Sequence, residues 1–210
     1  MSQELVECYN KRKEEIKKRL GEFRDFWNSS EEDIFAELCF CLCTPQSKAR
    51  TCDAFIRRVK KNKLLFKGSE KELKSHMLGV RFCDNKARYI IEARKFFMDR
   101  GKIKVKNKLS NCSPEGARDW LVKNIKGLGF KESSHFLRNV GLGENLAILD
   151  RHVLKNLRKN GVIKEIPTCL TGKRYMEIEE KMKNFSKKVG IPLGDMDLLF
   201  WSEETGEIFK

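Results

Sequence analysis

The sequence predicts an all-α protein. Apolar residues recur at helical spacing along most of the 210 residues, and Ser or Asp residues stand where helices would begin. Strand signals are few, and the best of them is Lys102–Val105. Hydrophobic residues make up 40% of the chain and include 14 Phe, which excludes intrinsic disorder and suffices for a buried core at this length.

The helices of the first half are predicted from their composition and their start and stop signals. Glu4–Leu20 is charged with sparse apolar positions, so we expect a helix that lies on the surface. Ser29–Asp33 offers a capping Ser followed by acidic residues, and the apolar Ile34–Cys43 continues it as a buried helix that Pro45 ends. Further helices are predicted over Ser47–Lys61, Ser69–Met77 and Lys86–Arg100.

The helices of the second half follow similar signals. Ser113 is placed to cap a helix with Pro114 at its first position, and this helix should run to Ile125. Later helices are predicted over Lys131–Val140, Arg151–Asn160, Gly172–Val189 and Asp195–Thr205.

Charge indicates the kind of partner. Lys and Arg number 44 against 30 Asp and Glu, which gives a net charge of +14. Such a surplus suggests a polyanion such as nucleic acid, although a solvated Lys-rich surface with no polyanion fits it equally well.

The longest apolar run is Leu38–Thr44 and the first residues lack an apolar core, so we expect no membrane span, no signal peptide and a cytoplasmic location.

The eight cysteines do not suggest a metal or disulfide framework. No two are separated by two residues, and Cys39, Cys41 and Cys43 lie within an apolar segment. We expect them to be reduced and to behave mostly as small buried hydrophobic residues.

The segment 121–140 carries the most specific motif. Gly127-Leu128-Gly129 lies between two predicted helices, and glycines there let the backbone run close to another surface. The second helix would present free N–H groups at its start, which together with the helix dipole form an anion site suited to a DNA phosphate. The alternative is an ordinary turn between two helices.

Lys131 lies in the first turn of that second helix. The positive end of the helix disfavours a cation there and favours the neutral amine, which is a nucleophile. The alternatives are a lysine that contacts a DNA phosphate and a solvated lysine among 44 basic residues.

Asp150 follows the apolar run Leu146–Leu149 and precedes the helix predicted from Arg151. An Asp is a favoured N-cap, and that role alone would account for it. A carboxylate held by a cap can also stabilise a developing sugar cation or relay a proton.

Together these residues resemble the helix-hairpin-helix superfamily of DNA base-excision glycosylases. That superfamily has a Gly-x-Gly hairpin, a catalytic Lys in its second helix and an Asp some 20 residues later, which here correspond to Gly127 and Gly129, Lys131 and Asp150. Residues 127–139 are most similar to the 8-oxoguanine branch, and the lysine is typical of the bifunctional members.

Two further features narrow the resemblance to the compact type-2 8-oxoguanine DNA glycosylase/lyases of archaea and some bacteria. Members with an iron–sulfur cluster end with four closely spaced cysteines, whereas only Cys169 follows Cys112 here, so we expect no cluster. The chain is also too short for the large N-terminal domain of the eukaryotic type.

The resemblance implies roles for several other residues. Residues 195–201, Thr205-Gly206 and the terminal lysine are similar to the type-2 tail, in which the tryptophan stacks on the flipped base and the terminal carboxylate reads it; these roles fall to Trp201 and Lys210. Core packing and a frayed end are the alternatives for them. Relatives also fill the gap left by the base and contact the orphaned opposite base with two loops, which makes Gln46, Arg81 and Phe82 candidate DNA-binding residues.

The resemblance implies a single glycosylase unit over residues 1–210 with two helical subdomains and the active site in the cleft between them. We expect the first subdomain over 30–110 and the second over 1–29 plus 111–210, with the hairpin at 121–140. The implied activity is excision of 8-oxoguanine from double-stranded DNA through a Lys Schiff base, followed by β-elimination 3′ of the abasic site. We expect a monomer in the prokaryotic cytoplasm, associated with the nucleoid, with no cofactor beyond a monovalent cation that the hairpin carbonyls could hold.

Three alternatives to this activity stay open. The chain could be a glycosylase of the same fold for another oxidised base, such as an oxidised pyrimidine, although Trp201 and Lys210 argue against it. It could be a structural hairpin protein that binds DNA without covalent chemistry. A basic protein–protein adaptor would fit the charge but gives no reason for the arrangement of glycines, Lys131 and Asp150.

Overall fold

The computed structural model describes residues 2–210, so Met1, which our expected second subdomain includes, lies outside it. Residues 2–210 form twelve helices and one two-stranded hairpin, which confirms the all-α prediction. The elements are α1 Ser2–Phe26, α2 Glu31–Cys43, α3 Ala49–Lys61, α4 Leu64–Lys67, α5 Glu70–Ser75, α6 Cys83–Phe97, β1 Met98–Asp99, β2 Lys102–Ile103, α7 Lys106–Leu109, α8 Pro114–Asn124, α9 Phe130–Asn139, α10 Arg151–Lys159, α11 Gly172–Val189 and α12 Leu193–Thr205.

The largest difference from the predicted elements lies around β1 and β2. We predicted that the helix now called α6 would continue to Arg100, but it ends at Phe97 because Met98 and Asp99 pair with Ile103 and Lys102. The two residues between these strands both have positive φ, as a tight hairpin turn requires. The predicted strand Lys102–Val105 is therefore shorter than expected, and it ends at Ile103.

Residues Trp27–Phe136 form one compact unit. Its centre is α2, whose residues from Ile34 to Cys43 are all buried, as predicted. Ser30 caps α2 by accepting from the Asp33 N–H. The Phe35 ring lies 6.3 Å from the Phe97 ring at a steep angle, a favourable geometry for two aromatic rings.

Residues 2–26 and 137–210 form the other compact unit. The long helix α1 packs against α12 through one apolar face, and the Tyr9 hydroxyl at this interface donates a 2.7 Å hydrogen bond to Asp195. The guanidinium of Arg138 is buried over the Phe23 ring at 4.7 Å and lies 3.4 Å from Asp197. The residues of α1 that form the buried face are Leu5, Tyr9, Ile16, Leu20 and Phe23.

This division differs from the subdomains that we expected over 30–110 and over 1–29 plus 111–210. Residues 111–136 group with Trp27–Phe136, because Trp120 on α8 packs against the Phe97 ring and His135 packs edge-on against Phe40. The hairpin turn and the first part of α9 therefore belong to the unit that contains α2 and α6.

Across residues 2–210, none of the helices combines the length and the apolar composition that crossing a membrane would require.

Candidate active site

The predicted hairpin is present between α8 and α9. Gly127 has φ of +93°, a conformation that L side chains rarely adopt, and a Cβ there would meet the Tyr89 ring at 2.4 Å. Both the conformation and the close approach therefore require glycine. Leu128 between the glycines is 4% exposed, so the hairpin holds an apolar side chain inside.

Lys131 is the second residue of α9, in its first turn as predicted. Its Nζ lies 3.5 Å from the Thr44 hydroxyl and 3.6 Å from Glu132 Oε1. The side chain is 22% exposed, so the amine is partly shielded while remaining accessible to a substrate. These contacts are longer than a good hydrogen bond, so they hold the amine only weakly.

Glu132 is a residue that sequence reasoning missed. Its Oε2 accepts from the Gly129 N–H at 3.3 Å, while its Oε1 faces Lys131. A carboxylate thus already occupies one of the N–H donors that we predicted would bind a phosphate. The available signal was its position at the third residue of α9, where an acid often bonds back to the helix start.

The two loops with candidate DNA-binding residues share an unusual backbone feature. Gln46 and Phe82 both adopt left-handed φ, at 55° and 57°, which is uncommon for residues other than glycine. The Phe82 ring is 54% exposed, and the Arg81 guanidinium lies 5.8 Å from its centre. Leu78, which we did not single out, is 69% exposed in the same loop as Phe82. A pair of exposed apolar side chains on one loop is suited to insertion between bases.

Asp150 is the N-cap of α10, as predicted, and its carboxylate accepts from the Val153 N–H at 2.8 Å. The buried residues before it are fixed by α11. Glu179 accepts from the Ala147 N–H at 2.7 Å, and the Tyr175 hydroxyl donates to the Ala147 carbonyl at 2.6 Å. Sequence reasoning missed Tyr175 and Glu179, since nothing local relates them to Asp150.

Trp201 lies near the end of α12 and is half-buried. Its ring is 6.4 Å from the Phe209 ring, and the Lys210 Nζ lies 5.9 Å from that same ring. The tail is anchored to α1, because Arg19 donates to the Phe209 carbonyl at 2.6 Å. The two predicted base-binding residues therefore belong to one cluster, and the chain end is held in place.

The predicted site residues thus form two groups. Gly127, Gly129, Lys131 and the loop residues lie in the unit Trp27–Phe136, whereas Asp150, Trp201 and Lys210 lie in the unit that contains α10 and α12. The first group offers a partly shielded amine, a glycine turn and exposed apolar side chains. The second offers a fixed carboxylate and an aromatic ring beside the chain end.

Comparison with known proteins identifies the family. A family model described as 8-oxoguanine DNA glycosylase matches residues 16–191. The chain belongs to this family. A protein from Fusobacterium nucleatum named 8-oxoguanine DNA glycosylase/AP lyase is 48% identical over 210 residues, covering 99% of this chain and 96% of the relative. A protein of the same name from Methanocaldococcus jannaschii is 39% identical over 94% of this chain and 93% of the relative.

Solved glycosylase structures show the same fold. The Thermotoga maritima 8-oxoguanine DNA glycosylase matches with a TM-score of 0.87 and 34% identity, covering 100% of this chain and 98% of that one. The Methanocaldococcus jannaschii 8-oxoguanine glycosylase/lyase in complex with a 15mer DNA containing 8-oxoguanine matches with a TM-score of 0.89 and 37% identity, covering 100% of this chain and 99% of that one. The family resemblance that the sequence suggested is confirmed, together with its helix-hairpin-helix fold.

Proposed function

We propose that the chain excises 8-oxoguanine from double-stranded DNA and then cleaves the strand 3′ of the abasic site by β-elimination. The observation that carries this proposal is the 48% identity, over almost the whole of both chains, with a relative named 8-oxoguanine DNA glycosylase/AP lyase. The chain is thus a bifunctional glycosylase and lyase of DNA repair.

DNA binding is assigned to the hairpin and the basic surface. The turn Gly127–Gly129 and the start of α9 contact the backbone phosphates, with Glu132 giving up the Gly129 N–H when a phosphate arrives. The net charge of +14 makes this binding strongly dependent on salt. A monovalent cation on the hairpin carbonyls would assist the same contact.

The lesion leaves the duplex before chemistry begins, because its glycosidic bond cannot be reached inside the stack. Gln46 fills the gap, while Arg81 and Phe82 contact the base opposite. The flipped base stacks on Trp201 and is read by the carboxylate of Lys210. The position of Trp201 beside the anchored tail supports this assignment.

Lys131 and Asp150 carry the chemistry. The neutral amine of Lys131 attacks C1′, the bond from C1′ to the base breaks, and the base leaves as Asp150 stabilises the cationic sugar and assists proton transfer. The bound nitrogen then gives up a proton, and the C1′–O4′ bond breaks as O4′ takes up a proton and becomes the C4′ hydroxyl, which leaves a protonated Schiff base between C1′ and the Lys131 nitrogen. This Schiff base acidifies the C2′ proton, and loss of that proton breaks the C3′–O bond and expels the 3′ phosphate. The proposal needs no metal or cluster, since an amine and a carboxylate supply each step.

We further propose that the chain acts as a monomer in the cytoplasm, on the nucleoid. The bacterial and archaeal origin of the named relatives supports only the prokaryotic, nucleoid-associated part of this proposal.

Covalent trapping tests the proposal. The protein is mixed with a labelled duplex that carries 8-oxoguanine opposite cytosine, borohydride is added, and the products are separated on a denaturing gel. We expect a shifted protein–DNA band and strand cleavage when borohydride is omitted. Duplexes with oxidised pyrimidines and an undamaged duplex serve as controls. A stronger band on an oxidised pyrimidine would assign another base specificity, and DNA binding with no band on any lesion would favour a structural hairpin protein.

A further inference from the structure

Lys86 on α6 is a buried lysine that the proposed mechanism does not use. It is 4% exposed, and burial lowers the pKa of its ammonium below the ordinary value, an effect to which the neighbouring Lys131 adds. A buried cation is costly unless its donors are all satisfied. The buried Lys86 ammonium therefore needs a hydrogen-bond acceptor for each of its donors.

Those partners all belong to the loop that follows α2. The Nζ donates to the Cys43 carbonyl at 2.7 Å, to the Pro45 carbonyl at 2.7 Å and to the Ser47 hydroxyl at 2.9 Å. An ammonium group has three donors, so all three are used within residues 43–47. The bonds to Pro45 and Ser47 flank Gln46, whose left-handed backbone is held only if the surrounding structure fixes it.

Ser47 links this loop to the second one. Its hydroxyl oxygen also accepts from the Arg81 N–H at 3.0 Å, so it accepts from both Lys86 and Arg81. A hydroxyl oxygen has two acceptor positions, and these two bonds fill both. The next residue is Phe82, which has the left-handed backbone and the exposed ring described above.

We propose that Lys86 is a positioning residue that joins the Gln46 loop to the Arg81-Phe82 loop through Ser47, so that both loops enter the duplex as one rigid unit. The inference rests on the proposed function, since the two loops act only on duplex DNA. Lys86 itself touches no reacting atom. Its role is to set the geometry with which the lesion is driven out of the stack.

The test separates base removal from strand cleavage. Single-turnover rates are measured on a duplex with 8-oxoguanine opposite cytosine and on a single strand with a preformed abasic site. Cleavage of the abasic strand needs Lys131 but no base eversion. For Lys86→Met we expect a loss on the order of 10²-fold in excision from the duplex, the size of effect that a small misplacement of positioned groups produces. Cleavage of the abasic strand should fall no further than in the control variant.

Lys106→Met is the matched control. Lys106 lies in the same unit and its Nζ donates to the Ser29 carbonyl at 2.6 Å, so its loss removes the same charge and a similar bond away from both loops. Ser47→Ala keeps the two carbonyl bonds of Lys86 but breaks the link to Arg81. We expect it to lower duplex excision selectively, and the double variant Lys86→Met/Ser47→Ala to be less impaired than the product of the two single effects.

Two results would overturn the inference while leaving the proposed function intact. The first is a wild-type protein that excises 8-oxoguanine and a Lys86→Met variant that loses excision and abasic cleavage equally. That pattern would mean that Lys86 acts on Lys131, through Thr44, and not on the two loops. The second is behaviour of both variants like Lys106→Met. A wild-type protein that excises no 8-oxoguanine would instead refute the proposed function itself.

Discussion

The two proposed catalytic side chains are held in opposite ways. Asp150 is fixed by a 2.8 Å bond to its own helix, and the chain before it is bonded to Tyr175 and Glu179. Lys131 has only the 3.5 Å and 3.6 Å contacts to Thr44 and Glu132. One group is held rigidly by the fold, whereas the other is loosely confined.

The contrast matches the work proposed for each group. A carboxylate that stabilises a developing cation is most effective when it need not reorganise during the reaction. An amine that must reach C1′ and stay bonded to the sugar through elimination needs freedom to move. The predictions below aim to break or sharpen this contrast, beginning with the largest expected effect.

Replacing the loosely held side chain should abolish both activities. Lys131→Gln removes the only nucleophile in the proposal, so we expect base excision and strand cleavage to fall below detection on an 8-oxoguanine duplex. DNA binding, measured by fluorescence anisotropy, should persist. The exposed Lys108 on α7 gives a matched control, Lys108→Gln, which should stay active. Strand cleavage by Lys131→Gln would refute the assignment.

Changes at the rigidly held side chain should separate its chemistry from its cap. Asn also caps helices, so Asp150→Asn should keep the melting temperature while slowing base release on the order of 10²- to 10³-fold. Asp150→Ala should lose the same activity and also about 1 kcal/mol of the free energy of unfolding.

Thr171→Ala provides the control for that experiment, since Thr171 caps α11 in the same unit. It should lower stability by a similar amount and leave base release unchanged. If Asp150→Asn merely lowered the melting temperature, capping would be the whole role of Asp150.

The hairpin should tolerate no side chain at Gly127. Gly127→Ala would combine a left-handed backbone with a 2.4 Å approach to the Tyr89 ring. We expect a loss of about 1–3 kcal/mol in the free energy of unfolding and weaker binding to damaged and undamaged duplexes alike. Gly101→Ala has a similar φ with open space around it, so it should show the strain without the change in DNA binding. Equal losses of DNA binding in the two variants would contradict the proposal that the hairpin contacts the phosphates.

The exposed Phe82 side chain should contribute to excision from a duplex but hardly to the stability of the fold. Because the Phe82 ring is 54% exposed, Phe82→Ala should leave the melting temperature almost unchanged. Excision of 8-oxoguanine from a duplex should fall about tenfold, since the side chain no longer offsets the unstacking cost. Phe96→Ala removes another exposed aromatic ring of the same unit and should not change excision. A matching decrease in both variants would argue against a wedge.

The smallest effect is expected for the stability contributed by the ion pair between Asp33 and Lys60, measured as a function of pH. Burial alone would raise the pKa of Asp33, but its ion pair with Lys60 and its bond from Ser30 lower it overall. A lowered pKa contributes stability above the unfolded value of about 3.9, and this contribution is lost as the pH falls through the folded pKa.

Asp33→Asn should therefore cost about 1 kcal/mol of unfolding free energy at neutral pH. The difference from the wild type should vanish in acid, as measured by urea titration at several pH values. Excision at neutral pH should be unchanged. A difference that persisted below the folded pKa would mean that the ion pair is not its source.

The local parts of this contrast could be predicted from the sequence. Signals within a few residues predict the span Gly172–Val189, the Asp150 cap and the position of Lys131 in the first turn of its helix. The glycines of the hairpin were equally legible, because their backbone requirement is local.

What could not be predicted depends on contacts between distant segments. The bonds from Tyr175 and Glu179 to residues 147 and 149, and the bonds from Lys86 to residues 43–47, join positions far apart in the chain. The left-handed backbones of Gln46 and Phe82 also could not be predicted, because neither residue is a glycine. The grouping of residues 111–136 with the unit that contains α2 involves aromatic packing between distant segments, which composition does not reveal.

The central claim is that Lys131 is the residue that bonds to the sugar. It is tested most directly by trapping the wild-type protein on an 8-oxoguanine duplex with borohydride, digesting protein and DNA, and locating the modified lysine by tandem mass spectrometry. The account predicts the sugar remnant on the peptide that contains Lys131. A remnant on Lys86, Lys210 or any other amine would contradict it.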